Sequence, residues 1–204
     1  MQNLVGKREL NKARKRAEIV DIATRSFFEH GYAATSMSSI AETLGGSKTT
    51  LWSHFSSKAD LFTAVVDVQV ETFARDIDEV LTNQSFSLAA LRRACLRFLD
   101  CLLRENSVHL FRIVVSEGER FPEIAEAFYS RGPAKVRKCI VDFYANAFAP
   151  GDATRLAGLT MAAVTGFRAD ILLRTAKPTQ DEREAFVDTL IQLIDWPEQK
   201  TVAT

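Results

Sequence analysis

Residues 35–62 run Thr35-Ser36-Met37-Ser38-Ser39-Ile40-Ala41-Glu42-Thr43-Leu44-Gly45-Gly46-Ser47-Lys48-Thr49-Thr50-Leu51-Trp52-Ser53-His54-Phe55-Ser56-Ser57-Lys58-Ala59-Asp60-Leu61-Phe62. Thr35 or Ser36 supplies a hydroxyl to cap a short helix whose apolar residues are Ile40, Ala41 and Leu44. Gly45-Gly46 breaks that helix, and Ser47 caps a second one. Within the second, Leu51 and Phe55 are four apart and share an inward face. Ser57 and Asp60 then have the spacing of a capping box for a longer helix. The outward side of the middle helix carries hydroxyls and an ammonium, a set that fits the DNA major groove.

That reading assigns roles. Lys48 and Thr49 lie in the first turn of the middle helix, the part that meets base edges when such a helix enters the groove. An ammonium donates to guanine O6 and N7, and the Thr49 methyl matches a thymine methyl. Ser53 and His54, one turn on, reach bases or phosphates. Thr35, Ser36, Thr50, Trp52 and Lys58 are candidates for the phosphate backbone, which hydroxyls, an indole N–H and helix N-termini contact. The competing reading is a set of ordinary caps and a solvated helix face.

Outward from this block the pattern is helical, with no strand-like alternation and only 9 Gly and 5 Pro in 204 residues. A first helix is expected from Lys12 to Glu29, with Ile19, Ile22, Ala23, Phe27 and Phe28 as its apolar stripe and His30-Gly31 as its stop. The long fourth helix runs from Ser57 to Leu81, and Thr82-Asn83-Gln84-Ser85 breaks it. Further helices are expected over 87–104, 108–118, 122–130, 133–147, 153–174 and 179–194, with a turn at Ala149-Pro150-Gly151-Asp152. The tail after Trp196-Pro197 is polar and expected to fray.

Lys plus Arg equals Asp plus Glu, 26 each, so global charge names no partner. Its distribution does: Lys7, Arg8, Lys12, Arg14, Lys15 and Arg16 face only Glu9. This arm is read either as a flexible one that follows the minor groove or phosphates, or as a solubilising tail. No run is apolar enough to span a bilayer and no signal peptide is present, so the chain is expected in the cytoplasm. Cys95, Cys101 and Cys139 form no CxxC pair and read as small core or surface thiols. His30, His54 and His109 are scattered, and no phosphate loop follows a strand. No enzyme, cofactor or metal site is therefore expected.

Ile19 to Tyr32, then Thr35-Ser36-Met37 with Ile40-Ala41, then the block from Gly45 to Phe62 resemble, in order and spacing, the head of the TetR/AcrR family of transcriptional regulators. The resemblance implies an all-α homodimer: a three-helix helix-turn-helix head joined by a long fourth helix to a helical ligand-binding and dimerisation domain. The division falls at residues 1–57 and 58–204. By motif position it implies base-facing roles for Ser38, Lys48, Thr49 and Ser53. Thr35, Thr50, Trp52, His54 and Lys58 match backbone-contacting positions. Two residues depart from the pattern: Trp52 stands where the family usually has Tyr, and Gly46 where it often has a β-branched residue. Leu110 to Glu117, Arg120-Phe121-Pro122-Glu123, Phe128-Tyr129 and Gly132-Pro133 are similar to the regulatory half of the AefR-like subset.

In that half Phe98, Leu102, Phe111, Val114, Phe128, Phe143, Met161 and Phe167 are candidates for an effector pocket, with Arg112, Glu117 and Arg120 as its polar groups or as a structural ion-pair network. The same spacing serves a plain core equally. Gly158, Ala162 and Gly166 permit close helix approach, and Phe186, Leu190, Leu193 and Ile194 add an apolar face, together a candidate dimer surface. The expected function is a ligand-responsive DNA-binding regulator: a repressor on a palindromic operator, released by a small, mostly apolar effector. An activator of the same fold, or a helical interaction module without DNA binding, are the alternatives.

Overall fold

A computed structural model describes residues 2–45, 48–81 and 85–200. Its elements are α1 (Gln2–Ala34), α2 (Met37–Thr43), α3 (Lys48–His54), α4 (Lys58–Leu81), α5 (Leu88–Leu102), α6 (Glu105–Glu117), α7 (Pro122–Arg131), α8 (Pro133–Ala145), α9 (Pro150–Leu172) and α10 (Gln180–Leu193). The fold is all-α. Gly46, Ser47 and Thr82 to Gln84, given capping and breaking roles above, lie outside the described residues.

The helices form two compact units. The first holds the described residues up to Val70 together with His109–Arg131; the second holds Glu71–Val108 and the described residues from Gly132 on. Helices α4 and α6 each contribute residues to both. In the first unit the apolar stripe of α1 (Ile19, Ala23, Phe27) meets Ile40 and Ala41 of α2, Leu51 of α3, and Leu61, Phe62 and Val65 of α4. Leu110, Ile113 and Ile124, from α6 and α7, complete this core. Phe62 stands edge-on to both Phe27 and Tyr32, at 5.3 Å between ring centres in each case.

Three departures from the sequence reading have local causes. The basic arm is helical and continues α1 back to Gln2. Lys, Arg, Leu and Ala lose little side-chain freedom in a helix, and the Lys15–Glu18 pair at 3.0 Å supports it from the surface. Gly31, at φ +81°, kinks the chain before Tyr32 to Ala34 make a last turn. Pro150 opens α9 instead of ending a turn, because the first helical turn needs no N–H from it.

The second unit packs α5, α8, α9 and α10 around Phe98, Leu99, Phe143, Tyr144, Phe148, Leu156, Val164 and Val187. Tyr144 and Thr160 satisfy each other's buried hydroxyls at 2.7 Å. Arg92 of α5 holds α10 through Glu184 (2.8 Å) and Asp188 (2.6 Å), and Arg183 pairs with Asp100. The tail is tied down through Lys200: Trp196 packs on Phe148, and the Lys200 amide donates to the Ala147 carbonyl at 2.7 Å. Cys95 and Cys101 are buried, and burial pushes both thiols up to about 12, far from the reactive thiolate.

Candidate nucleic-acid interface

Short-range capping shapes α2 and α3, the two helices that the sequence reading sets at the groove. Ser36, in extended conformation, accepts from the Ser39 amide at 3.0 Å, and the Ser39 hydroxyl accepts from the Ser36 amide at 3.2 Å. Buried Leu44 and then Gly45, at φ +65°, end α2. Helix α3 buries Leu51 completely and is followed by Phe55, 1% exposed, so both anchors face inward as their spacing predicts. Asp60 accepts from the Ser56 amide at 3.0 Å while its own amide donates to Ser57 Oγ, which fixes the start of α4.

With Leu51 inward, Lys48, Thr49, Trp52 and Ser53 are exposed on one face of α3, Trp52 at 51%. Ser38 is exposed on α2. The Ser53 hydroxyl donates to its own helix at the Thr50 carbonyl, 2.7 Å away, leaving its lone pairs to accept. Thr50 and His54 are half-buried. Burial first, then the nearby charges of Lys12, Arg16 and Lys15, hold the His54 imidazole below its ordinary pKa, which favours the neutral ring. Those charges come from the helical N-terminal extension. Arg8, Glu9, Asn11 and Lys12 border a shallow groove with Ser53 and His54, and the Arg16 guanidinium lies 4.7 Å above the Phe55 ring.

Two of the expected backbone contacts point inward. Thr35 is 2% exposed, and its hydroxyl donates to the Gly31 carbonyl at 2.7 Å. The Lys58 ammonium lies 2.8, 3.4 and 3.0 Å from the carbonyls of Tyr32, Ala33 and Thr35. An ammonium has three donors, and these three acceptors occupy them all. It also sits 4.3 Å above the Tyr32 ring. Burial lowers its pKa, and Glu117 and Glu123 partly oppose that. Ser36 stays exposed but serves as the α2 cap.

These helices match a known pattern over most of the chain. Residues 19–65 match the family described as bacterial regulatory proteins, tetR family, and residues 89–194 match the AefR-like transcriptional repressor, C-terminal domain. The chain belongs to the TetR/AcrR family of transcriptional regulators. Such a regulator is not an enzyme, and among the described residues no group of three His, Cys, Asp or Glu side chains could hold a metal ion. Among them, too, no helix is long and apolar enough to cross a membrane. The regulator TtgR of Pseudomonas putida is 28% identical over 192 residues, covering 88% of this chain and 90% of its own. The transcriptional activator FasR of Mycolicibacterium smegmatis is 32% identical over 97 residues, 48% of this chain but only 44% of FasR. The solved structure of the flavonoid-responsive regulator FrrA superimposes with a TM-score of 0.73 at 27% identity, covering 88% of this chain and 94% of that one.

The pocket candidates of this TetR-family chain are divided between the two units. Phe111, Arg112, Val114, Glu117 and Phe128 belong to the first unit, where Val114 and Phe128 pack on its core. Phe98 and Phe143 do line a cavity in the second unit, with Ile77, Leu81, Leu91, Ala94, Cys95, Ile140 and Thr160. Leu102 and Met161 are core there, and Phe167 stacks on Phe186 at 4.4 Å. Of the dimer candidates, Ala162, Gly166 and Leu193 are exposed, and Gly158, Phe186 and Leu190 are half-buried. Ile194 is 7% exposed and packs into its own unit. Leu159 on α9 and Leu173, the residue that caps its end, are 48% and 89% exposed and extend the apolar stripe of Ala162 and Gly166.

Proposed function

We propose that this protein is a ligand-responsive repressor that binds a palindromic operator as a homodimer. The exposed face of α3, with Lys48, Thr49 and Ser53 opposite buried Leu51, carries the reading. Ser38 on α2 adds a base-facing hydroxyl, and Trp52, Thr50, His54 and Ser36 flank the bases toward phosphates. Leu159, Ala162, Gly166, Leu173 and Leu193 form the surface on which two copies pair, placing two heads on successive half-sites. Selection of bound duplexes from a random pool tests the reading. An inverted repeat supports it; no enrichment sinks it and favours an interaction module.

Lys48→Ala is expected to lose discrimination at particular bases of that repeat, about 1–3 kcal/mol at the guanine it contacts, with little change on random DNA. Gel-shift titrations against single-base variants of the repeat read this directly. Equal loss at every base contradicts the assignment.

The helical extension of α1 supplies sequence-independent attraction beside α3. The double change Arg8→Ala and Lys12→Ala is expected to weaken operator and random duplexes alike. It should flatten the dependence of log K on log salt by about 0.9 for each phosphate no longer neutralised. An unchanged slope removes the extension from the interface.

The effector is small and mostly apolar, because among the described residues no charged group lines the cavity of the second unit. That cavity is about 20 Å³, whereas a ligand site spans roughly 300–1,000 Å³, so the effector must open it. FrrA is named as flavonoid-responsive, and planar aromatic compounds of that kind are the first to try. Binding shifts the population between DNA-competent and incompetent states through α4, which contributes to both units. Activation is the second reading, favoured by the likeness to FasR, named as an activator. A reporter with the selected repeat placed over, or upstream of, a promoter separates the two.

A further inference from the structure

The junction of α6 and α7, Glu117 to Glu123, grips the turn that leads from α1 into α2. The base-facing set and the cavity of the second unit use none of these residues. At Gly31 the chain leaves the helical ladder, φ +81° and ψ 174°. The two amides that follow are taken by one carboxylate: Tyr32 N–H donates to Glu117 Oε1 at 2.8 Å, and Ala33 N–H to Glu117 Oε2 at 2.6 Å. The angle φ +81° favours glycine at residue 31, and a Cβ there would lie 2.7 Å from Glu117 Oε1 and displace the carboxylate from its present place.

The rest of the turn is held as fully. The Tyr32 hydroxyl donates to Glu123 Oε1 at 3.2 Å, and its ring packs 5.1 Å from that of Phe121. Burial, followed by the charges of Glu123 and Glu117, raises that hydroxyl to about 12. The carbonyls of Tyr32, Ala33 and Thr35 go to the Lys58 ammonium of α4. Donors of the turn thus meet carboxylates of α6 and α7, and its acceptors meet the cation of α4. Ser36, the cap of α2, follows within one residue of this clasp.

We propose that Glu117 is a positioning residue for operator binding: by bridging the amides of Tyr32 and Ala33 it fixes how α2 and α3 leave α1, and so lets α6 control presentation of the reading face. This rests on the DNA-binding reading above. Base contacts need register to within a hydrogen bond, whereas attraction between basic side chains and phosphates tolerates small displacements. Loosening the turn therefore lowers affinity for the operator selectively. A carboxylate accepts both amides; a primary amide of the same size accepts one and sets N–H against N–H at the other.

The test is Glu117→Gln, with Glu117→Asp as a second variant that keeps the charge and shortens the reach. Affinities are measured for the duplex enriched by the wild type and for random duplex, at a temperature where circular dichroism shows each protein folded. Amide exchange at Tyr32 and Ala33 is followed alongside. The expected result is a loss of about tenfold or more on the enriched duplex for Glu117→Gln, the size expected when a charge-assisted hydrogen bond is broken. Random duplex should change little, and exchange should quicken at Tyr32 and Ala33 but not at Leu51. Glu117→Asp falls between, and it decides the matter alone if the glutamine variant does not fold. Wild-type affinity in both variants, or equal losses on both duplexes, overturns the role of Glu117 while leaving DNA binding intact. A wild type that enriches no duplex overturns DNA binding and this role together.

Discussion

Replacing Phe62 with Ala is expected to destabilise the protein by about 3–5 kcal/mol and to abolish operator binding at growth temperature. Phe62 is fully buried, and its ring meets Phe27 of α1 and Tyr32 of the α1–α2 turn at 5.3 Å each. Truncation removes the transfer free energy of the ring and leaves a cavity bordered by side chains from α1, the turn and α4, which cannot collapse together. Edge-to-face aromatic pairs add about 0.5–1.5 kcal/mol each beyond burial. A small domain has only about 5–15 kcal/mol of net stability, so the cost is a large share of the total. Thermal melting and gel shift on the same sample check this. A melting temperature within a degree of wild type contradicts the packing described for the first unit.

Lys58→Ala is expected to lower the melting temperature and to weaken binding to the operator more than to random duplex, while leaving the salt slope unchanged. The ammonium donates to three carbonyls, at 2.8, 3.4 and 3.0 Å, and lies over the Tyr32 ring. Hydrogen bonds to a charged group contribute about 1.5–3 kcal/mol and a cation over an aromatic ring about 0.5–2 kcal/mol. These are not additive across one ammonium, and the net cost is on the order of 2–3 kcal/mol. A phosphate contact, the role its sequence position suggests, predicts a different result: a stable variant whose salt slope falls by about 0.9. Salt titration of the gel shift, with a melting curve, distinguishes the two. A flattened slope with unchanged melting returns Lys58 to the phosphate backbone.

Much of the reading head is legible in local sequence because local chemistry makes it. The Ser36–Ser39 cap, the end of α2 at Gly45, and the inward spacing of Leu51 and Phe55 each depend on residues within five positions of one another. The exposed face of α3 follows from that spacing alone. The start of α4 is equally local, set by Ser56, Ser57 and Asp60. A pocket is less legible in sequence. Aromatic residues at helical spacing are the same whether they border a cavity or fill a core: Phe98 and Phe143 border the small cavity of the second unit, whereas Leu102 and Met161 are packed in its core. The helical arm was hidden for another reason: a basic run reads as a solvated tail, although its residue types favour helix.

By itself, then, the sequence determined an all-helical chain, the order of its helices, and which side of the third one faces solvent, since capping and periodicity act over a single turn. Tertiary structure alone decided the direction of the polar side chains: Thr35 inward, Lys58 onto carbonyls, and Glu117 onto two amides 84 and 85 residues away. It also placed residues 109–131 in the same compact unit as α2 and α3. A carboxylate or an ammonium looks alike in sequence whether water or a backbone group satisfies it. The difference arises only when distant segments close around it and take the water away.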